Sequence, residues 1–281
     1  CIPPFSLDKK IIAQIEQQTS ILVQALQVKG LMNIQFAVQN GDLYVLEVNP
    51  RASRTIPFVS KAIGMPLAKL ATKIMLGVSL DAQNVSENRE SKYYAVKEAV
   101  FPFSKFIGVD TILGPEMKST GEVMGIGKTF SEAFIKSQLA AGIRFPTKIP
   151  GKLAFISVRD HDKPAAVDLA RKLQMLGFEL VATKGTADYI GKRGIQVETV
   201  KKVTEGRPHI VDRIKNGQIS FILNTVEERK SAIKDSRSIR TSALSESVTT
   251  YTTLAGAKAA VDGLSSLAAS KVEVYDLKSL H

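Results

Sequence analysis

The residues with the clearest chemical potential lie between positions 33 and 54. One carboxylate, Glu47, and two amides, Gln35 and Asn49, stand on two segments that alternate polar and apolar residues. Oxygen ligands of this kind suit a hard cation such as Mg²⁺, which proteins commonly hold with one or two carboxylates plus substrate phosphates. Arg51 and Arg54 follow directly, and arginines beside a metal neutralise charge on a transferring phosphoryl group. A solvated polar face of an ordinary hairpin would contain similar residues, so this alternative stays open.

A β-hairpin is needed to position these side chains. Segments 33–38 and 43–49 alternate with period two, and Asn40-Gly41 between them is a strong turn signal. A two-residue loop would pair Gln35 with Leu46 and mix polar with apolar side chains on one face. A three-residue loop or a one-residue bulge separates them, through the pairs Val38–Tyr44, Phe36–Leu46, Ile34–Val48, Gln35–Glu47 and Asn33–Asn49. We predict this second register, with its apolar face in a core that a helix over 7–28 covers.

The run Glu47-Val48-Asn49-Pro50-Arg51 resembles the metal-binding signature of ATP-grasp ligases. With ASRT at 52–55 and PFVSKA at 57–62, it is similar to the second ATP-grasp unit of the carbamoyl-phosphate synthetase large chain, and the resemblance covers essentially the whole sequence. The resemblance implies an ATP-dependent ligase that phosphorylates carbamate, giving carbamoyl phosphate for arginine and pyrimidine biosynthesis. It also implies that Gln35, Glu47 and Asn49 hold the Mg²⁺ or Mn²⁺ that accompanies ATP, with Gln35 and Glu47 binding this cofactor. Arg51 and Arg54 are then the catalytic residues.

Composition limits the remaining possibilities. The chain has 281 residues, enough for two domains, with 44% hydrophobic and 23% charged residues, as in ordinary globular proteins. Its one cysteine, Cys1, excludes an intramolecular disulfide and fits a reducing cytoplasm. The net charge of +11 accompanies no nucleic-acid recognition motif and no membrane-length apolar run. We therefore expect a cytoplasmic protein with neither a nucleic acid nor a membrane as partner, and the start at Cys suggests part of a longer chain.

The sequence favours an α/β protein in two parts. Residues 1–143 are predicted as the C-terminal part of an ATP-grasp domain, α+β with an antiparallel sheet. It includes helices over 57–63, 66–76 and 131–141, a polar loop over 83–92 and a strand over 93–101. The segment GEVMGIGKT at 121–129 is not a P-loop, because Gly121 is one residue too far from Gly127-Lys128-Thr129. We interpret it as a strand and a turn before a helix.

A linker rich in proline and glycine over 144–152 places the domain boundary between 143 and 144. Beyond it, strands and helices alternate, as in a Rossmann-like parallel sheet with helices on both faces. The predicted strands cover 153–158, 179–183, 195–200, 219–223 and 272–274, and the predicted helices cover 163–176, 186–192, 209–215 and 254–267. Ligands of such sheets bind at the carboxyl ends of the strands, where Ser157, Thr183 and Asn224 lie.

This second part is similar to the methylglyoxal-synthase-like regulatory domain of the same family, through EGRPHI at 205–210 and DRIKNG at 212–217. The resemblance implies that a nucleotide effector, UMP or IMP, is bound by Lys163, Thr183, Thr186, Lys202 and Asn224. Val226 and an apparent extra residue over 227–230 depart from the pattern and leave the contacts of Arg229 open.

An ornithine site is also implied, with Glu98 and Thr252 as matching residues. Glu98 is equally well explained as an exposed strand position. The tyrosine expected at this site is displaced, since Thr250 occupies its position and Tyr251 follows.

The implied partners are a glutamine amidotransferase small subunit and further copies of the enzyme in an oligomer. The alternative is an isolated nucleotide-binding regulatory module without catalysis. Methylglyoxal synthase activity is disfavoured, because it needs an aspartate in a Gly-Gly-Asp-type loop that the sequence lacks.

Overall fold

The computed structural model describes residues 1–85, 91–103, 110–113, 116–146, 148–225, 230–269, 272–277 and 280. The chain forms two compact units. The first comprises Cys1–Val96, Lys128–Phe130 and Glu273–His281, and the second comprises Lys97–Gly127 and Ser131–Val272. The domain boundary between residues 143 and 144 stays a prediction, because a compact unit of the structure need not coincide with a domain of a protein family.

The first unit contains helix α1 (Lys9–Ala25), the hairpin β1 (Asn33–Gln39) and β2 (Asp42–Asn49), and helices α2 (Ile56–Ile63) and α3 (Leu67–Met75). Helix α1 begins after Asp8, whose carboxylate accepts a hydrogen bond from the backbone N–H of Lys10 at 2.8 Å. Helix α2 ends at Gly64, whose φ of 68° is the left-handed conformation that glycine adopts easily. The predicted order of elements in this unit is confirmed.

The hairpin combines a two-residue loop with a bulge, two features that the sequence offered as alternatives. Its loop has two residues, with Gln39 opposite Asp42, and a bulge shifts the register between Gln35 and Phe36. Beyond the bulge the predicted pairs Asn33–Asn49, Ile34–Val48 and Gln35–Glu47 are confirmed.

The predicted pairs nearer the turn are wrong. Phe36 lies opposite Val45 and Val38 opposite Leu43, because the two-residue turn sets the register up to the bulge. The expected core face is also only partly formed. Ile34, Phe36 and Val48 are half-buried, whereas Val38, Tyr44 and Leu46 of the expected face are exposed.

Strands β3 (Tyr94–Val100) and β4 (Gly121–Gly127) form a second two-stranded sheet, and helix α4 (Phe130–Ala140) follows. The glycines of the rejected P-loop have a packing function here. A Cβ atom on Gly125 would collide with the backbone of Ala133 and Ser137, and one on Gly127 would lie 2.7 Å from the backbone nitrogen of Ala133. These glycines therefore let α4 lie directly against β4.

The remaining elements form a parallel sheet of five strands in the order β7-β6-β5-β8-β9. The strands are β5 (Leu153–Ser157), β6 (Glu179–Thr183), β7 (Glu198–Val200), β8 (Ile219–Asn224) and β9 (Thr249–Tyr251). The helices are α5 (Lys163–Met175), α6 (Lys184–Gly191), α7 (Ile210–Lys215), α8 (Lys230–Ser245) and α9 (Leu254–Ala269).

Helices cover both faces of this sheet, as predicted. Ala154 and Ile156 of β5 pack in a cluster with residues of α5, α6 and α9. Phe155, between them, packs in a second cluster with residues of α7 and α8. Alternate side chains of one strand thus enter two separate cores, which is the arrangement expected of a parallel sheet buried on both faces.

In the last third of the chain, one predicted strand is wrong, and one strand and one helix were not predicted. Residues 272–274 form no strand, although they alternate, and the fifth sheet position is taken by β9, which the sequence analysis missed. It also missed α8, whose buried positions include Asp235, Ser236 and Arg240. Polar residues at buried positions hide a helix from a search based on apolar periodicity. In the part of the chain that the structure describes, no helix is long and apolar enough to span a membrane.

Candidate functional site

The hairpin places the three candidate metal ligands close to one another beyond the bulge. Gln35 lies directly opposite Glu47, and Asn49 is two positions further along the same strand. The side-chain amide of Asn49 donates a hydrogen bond to Oε1 of Glu47. The structure therefore brings together one carboxylate and two amide groups, as the sequence predicted. Among the described residues, no group of three or more His, Cys, Asp or Glu side chains could hold a metal.

The two candidate catalytic arginines follow this cluster on an exposed turn. The backbone N–H of Arg51 donates to the carbonyl oxygen of Asn49 at 2.8 Å, which fixes the turn after β2. Nη1 of the Arg51 guanidinium donates a hydrogen bond to the neighbouring carbonyl oxygen of Ala52 at 3.3 Å. Arg51 and Arg54 both expose their side chains, so both are accessible to an anionic ligand.

In the second unit, one cavity of about 120 Å³ is lined by all five residues predicted to bind a nucleotide. We call it the nucleotide cleft, and it is lined by Ser157, Val158, Asp160, Lys163, Thr183, Gly185, Thr186, Lys202, Asn224, Thr225, Asp235, Ser236 and Ile239. Ser157, Thr183 and Asn224 are the last residues of β5, β6 and β8. The cleft thus lies at the carboxyl ends of adjacent parallel strands.

The floor of the cleft is a network of hydroxyl groups. The hydroxyls of Ser157 and Thr183 are 3.1 Å apart, and Oγ1 of Thr186 accepts a hydrogen bond from the backbone N–H of Val158 at 3.3 Å. Thr183 and Thr186 flank the start of α6, where free backbone N–H groups favour an anion. These contacts hold the junction of β6 and α6 against the end of β5.

Besides these hydroxyls, three side chains of the cleft have nitrogen donors for a ligand. Asn224 is 1% exposed, and its Nδ2 atom is buried without a hydrogen-bond partner among the described residues. Such an unpaired buried donor is costly, and a ligand oxygen would satisfy it. Lys163 pairs with Asp160 at 2.6 Å, but the Asp160 side chain is 88% exposed. An ion pair of this kind is weak, so the ammonium group of Lys163 is available to a ligand. Lys202 also lines the cleft.

The structure adds residues that the sequence analysis missed, chiefly on α8. Asp235 is buried, and its Oδ2 atom accepts a hydrogen bond from the Thr204 hydroxyl at 3.1 Å. Thr204 lies in the short 3₁₀ turn that follows Lys202. Thr225, the residue after β8, accepts a hydrogen bond from the backbone N–H of Arg159 at 2.9 Å. A reliable prediction of α8 would have been the only signal for Asp235.

A second cleft of about 530 Å³ contains Glu98 and Thr252. A chain of hydrogen bonds crosses it, from the Tyr251 hydroxyl to Oε1 of Gln138 at 3.0 Å and from Nε2 of Gln138 to Oε2 of Glu98 at 2.7 Å. Burial raises the pKa of Glu98, although its hydrogen bond with Gln138 acts in the opposite direction. Thr250 and Tyr251, the two residues at the displaced tyrosine position, both line this cleft.

Val226 and the loop over 227–229, including Arg229, lie outside the described residues.

His209, to which we assigned no catalytic function, is buried, and its backbone N–H donates to Asp212 at 3.0 Å at the start of α7. This hydrogen bond is the main cause that lowers the pKa of Asp212.

Comparison with known proteins agrees with both halves of this description. Residues 2–83 match the family model described as carbamoyl-phosphate synthase L chain, ATP binding domain, and residues 165–252 match that of the MGS-like domain. The chain is 55% identical to the carbamoyl phosphate synthase large chain of Ralstonia nicotianae over 100% of its length, and 54% identical to that of Pasteurella multocida. The large chain of Myxococcus xanthus is 52% identical over 99% of the chain.

The chain belongs to the carbamoyl phosphate synthase large-chain family. It spans about a quarter of the length of the curated relatives, covering 26%, 26% and 25% of the three large chains above. Within that family it corresponds to a C-terminal part that contains an MGS-like regulatory domain. The ATP-binding match lies in the unit with the hairpin, and the MGS-like match lies in the unit with the nucleotide cleft.

Proposed function

We propose that this chain is the part of a carbamoyl phosphate synthase in which a nucleoside monophosphate binds and controls the phosphorylation of carbamate. The observation that carries this proposal is the nucleotide cleft. It gathers Lys163, Thr183, Thr186, Lys202 and Asn224 at adjacent strand ends and leaves one buried amide donor, on Asn224, without a partner among the described residues. Two lysines, two hydroxyls and a helix start suit a dianionic phosphate.

The preferred effectors are UMP and IMP. A nucleotide has a ribose as well as a phosphate, and the cleft offers the buried carboxylate of Asp235 to sugar hydroxyls and the apolar side chain of Ile239 to the rest of the ligand. Relatives that respond to N-acetylglutamate line the corresponding pocket with a tryptophan. This sequence has no tryptophan, which favours a nucleotide over N-acetylglutamate.

The hairpin is proposed as a catalytic element of the longer enzyme. Glu47, Gln35 and Asn49 fit an Mg²⁺ or Mn²⁺ ion that binds together with ATP, since one carboxylate with two amide oxygens suits a hard cation whose remaining ligands are phosphates and water. When bound, the ion neutralises charge on the ATP phosphates. Arg51 and Arg54, exposed beside it, orient the carbamate and stabilise the charge of the transferring phosphoryl group.

The partners in this proposal follow from the family. They are a glutamine amidotransferase small subunit, further copies of the enzyme in an oligomer, and an amino-acid effector such as ornithine in the second cleft, at Glu98 and Thr252. The proposed location is the cytoplasm, in keeping with a single cysteine. The proposed domains are residues 1–143 and 144–281.

Calorimetric titration of the 281-residue chain with UMP, IMP and N-acetylglutamate tests the nucleotide proposal. We expect a nucleotide to bind more tightly than N-acetylglutamate. We expect Thr186→Ala combined with Lys202→Ala to weaken nucleotide binding by about tenfold or more, because lost charge-assisted hydrogen bonds cost about 1–3 kcal/mol.

Two matched variants serve as controls. Lys201→Ala removes a neighbouring exposed lysine that does not line the cleft, and Thr186→Ser keeps the hydroxyl that binds the Val158 N–H. Both should retain wild-type affinity within about twofold, since neither removes a proposed ligand contact. The proposal is wrong if neither nucleotide binds or if N-acetylglutamate binds more tightly than both.

A further inference from the structure

The two clefts of the second unit are joined by one stretch of chain, the crossover from β8 through α8 to β9. Asn224 and Thr225 at the end of β8 line the nucleotide cleft, and Thr249–Tyr251 of β9 line the second cleft. Helix α8 between them lines both clefts, with Ile239 in the first and the next residue, Arg240, in the second. A displacement of α8 would therefore change both clefts at once.

The end of α8 nearer the nucleotide cleft is tied to the 3₁₀ turn that follows Lys202. Asp235 accepts a hydrogen bond from Thr204, two residues after Lys202. Lys202 itself donates its backbone N–H to Glu205 of the same turn, at 2.9 Å. A phosphate that binds Lys202 would therefore act on α8 through Thr204 and its hydrogen bond to Asp235.

The second-cleft side of α8 is held by a buried ion pair. Arg240 is 1% exposed, and its Nε and Nη2 atoms donate to the two carboxylate oxygens of Asp110, each at 2.7 Å. This bidentate pairing lowers the pKa of Asp110. The residue after Asp110, Thr111, lines the second cleft, whereas Asp110 lines neither cleft.

The ion pair with Asp110 does not use all the hydrogen-bond donors of Arg240. The third guanidinium nitrogen of Arg240, Nη1, is buried without a hydrogen-bond partner among the described residues. A buried unpaired donor is costly, so a small shift of α8 that gives Nη1 a partner would be favourable. Packed elements respond to such shifts by moving between discrete arrangements.

We propose that the Arg240–Asp110 ion pair transmits occupancy of the nucleotide cleft, along α8, to the second cleft. Arg240 and Asp110 are positioning residues in this scheme, and neither one needs to touch the nucleotide. The inference rests on the proposed nucleotide binding and goes beyond it, because it predicts an effect at residues that line only the other cleft. It is a coupling between two sites through one shared helix.

Hydrogen–deuterium exchange of the 281-residue chain with and without saturating UMP tests this inference. In the wild type, UMP should slow exchange at 183–186 and 222–225, which border the nucleotide cleft. It should also slow exchange at 249–253 by about fivefold or more, although these residues lie outside that cleft. In Asp110→Asn the protection at 183–186 should remain, and the protection at 249–253 should be lost.

The controls separate a transmitted effect from general loosening. Asp262→Asn removes another ion pair of this unit, with Lys172 between α9 and α5, and should keep the wild-type pattern. Asp110→Glu retains the charge and should restore at least part of the protection at 249–253. No protection at 183–186 in the wild type would count against nucleotide binding itself. Protection at 183–186 without any at 249–253, or its persistence in Asp110→Asn, would overturn the proposed coupling.

Discussion

At the scale of single residues, Glu47 is the position where chemistry depends most on one side chain. It is the only carboxylate in the hairpin cluster with Gln35 and Asn49. In a full-length synthase with this sequence, we expect Glu47→Gln to abolish carbamate phosphorylation, because an uncharged amide loses charge stabilisation worth several kcal/mol. The fold should persist, since Glu47 is exposed.

Steady-state formation of carbamoyl phosphate at matched Mg²⁺ measures this effect. Asp42→Asn is the matched control, because it removes an exposed carboxylate at the opposite end of the same strand. That control should turn over normally. Near-normal turnover of Glu47→Gln would refute the role proposed for Glu47.

At the scale of elements, the contact of α4 with β4 shows how a glycine can determine packing. The space beside Gly125 is filled by the backbone of Ala133 and Ser137, so Gly125→Ala forces the helix away from the strand. Overpacking of this kind costs about 1–3 kcal/mol or more. We expect a clear loss of stability in thermal unfolding of the 281-residue chain.

Gly121, on the same strand, provides the comparison. A Cβ atom at this position would meet nothing within 4 Å. Gly121→Ala should therefore leave the unfolding temperature close to that of the wild type. Equal effects of the two substitutions would show that the close approach of α4 is not what requires Gly125.

At the scale of the whole molecule, the chain has the length of about a quarter of its relatives' large chains. We expect the purified 281-residue polypeptide to form no carbamoyl phosphate, although we propose that it binds a nucleotide. Glu47 and Gln35, two of its proposed metal ligands, and the two arginines are exposed, whereas phosphoryl transfer depends on enclosure and exact positioning of both substrates. Incubation with ATP, Mg²⁺, bicarbonate and ammonia measures this, and steady ATP-dependent formation of carbamoyl phosphate would contradict it.

The sequence alone determined features whose signals are local. Alternation and an Asn-Gly turn predicted the hairpin, and the pairing of Gln35 with Glu47 followed from keeping polar side chains on one face. The strand ends at Ser157, Thr183 and Asn224 predicted where the nucleotide cleft lies, because parallel strands end at a common edge. The resemblance to a known family added Lys163, Thr186 and Lys202. The spacing of glycines was enough to reject the P-loop.

Only the tertiary structure decided the features that depend on distant partners. The combination of a two-residue turn with a bulge could not be read from either pattern alone. Residues 272–274 alternate like a strand, but a strand needs a neighbour, and β9 occupies the fifth position of the sheet. Helix α8 was hidden because three of its buried positions, Asp235, Ser236 and Arg240, are polar. The buried guanidinium of Arg240 pairs with Asp110, 130 residues earlier in the chain. Burial of a charge depends on its partner, and the partner is known only once the chain has folded.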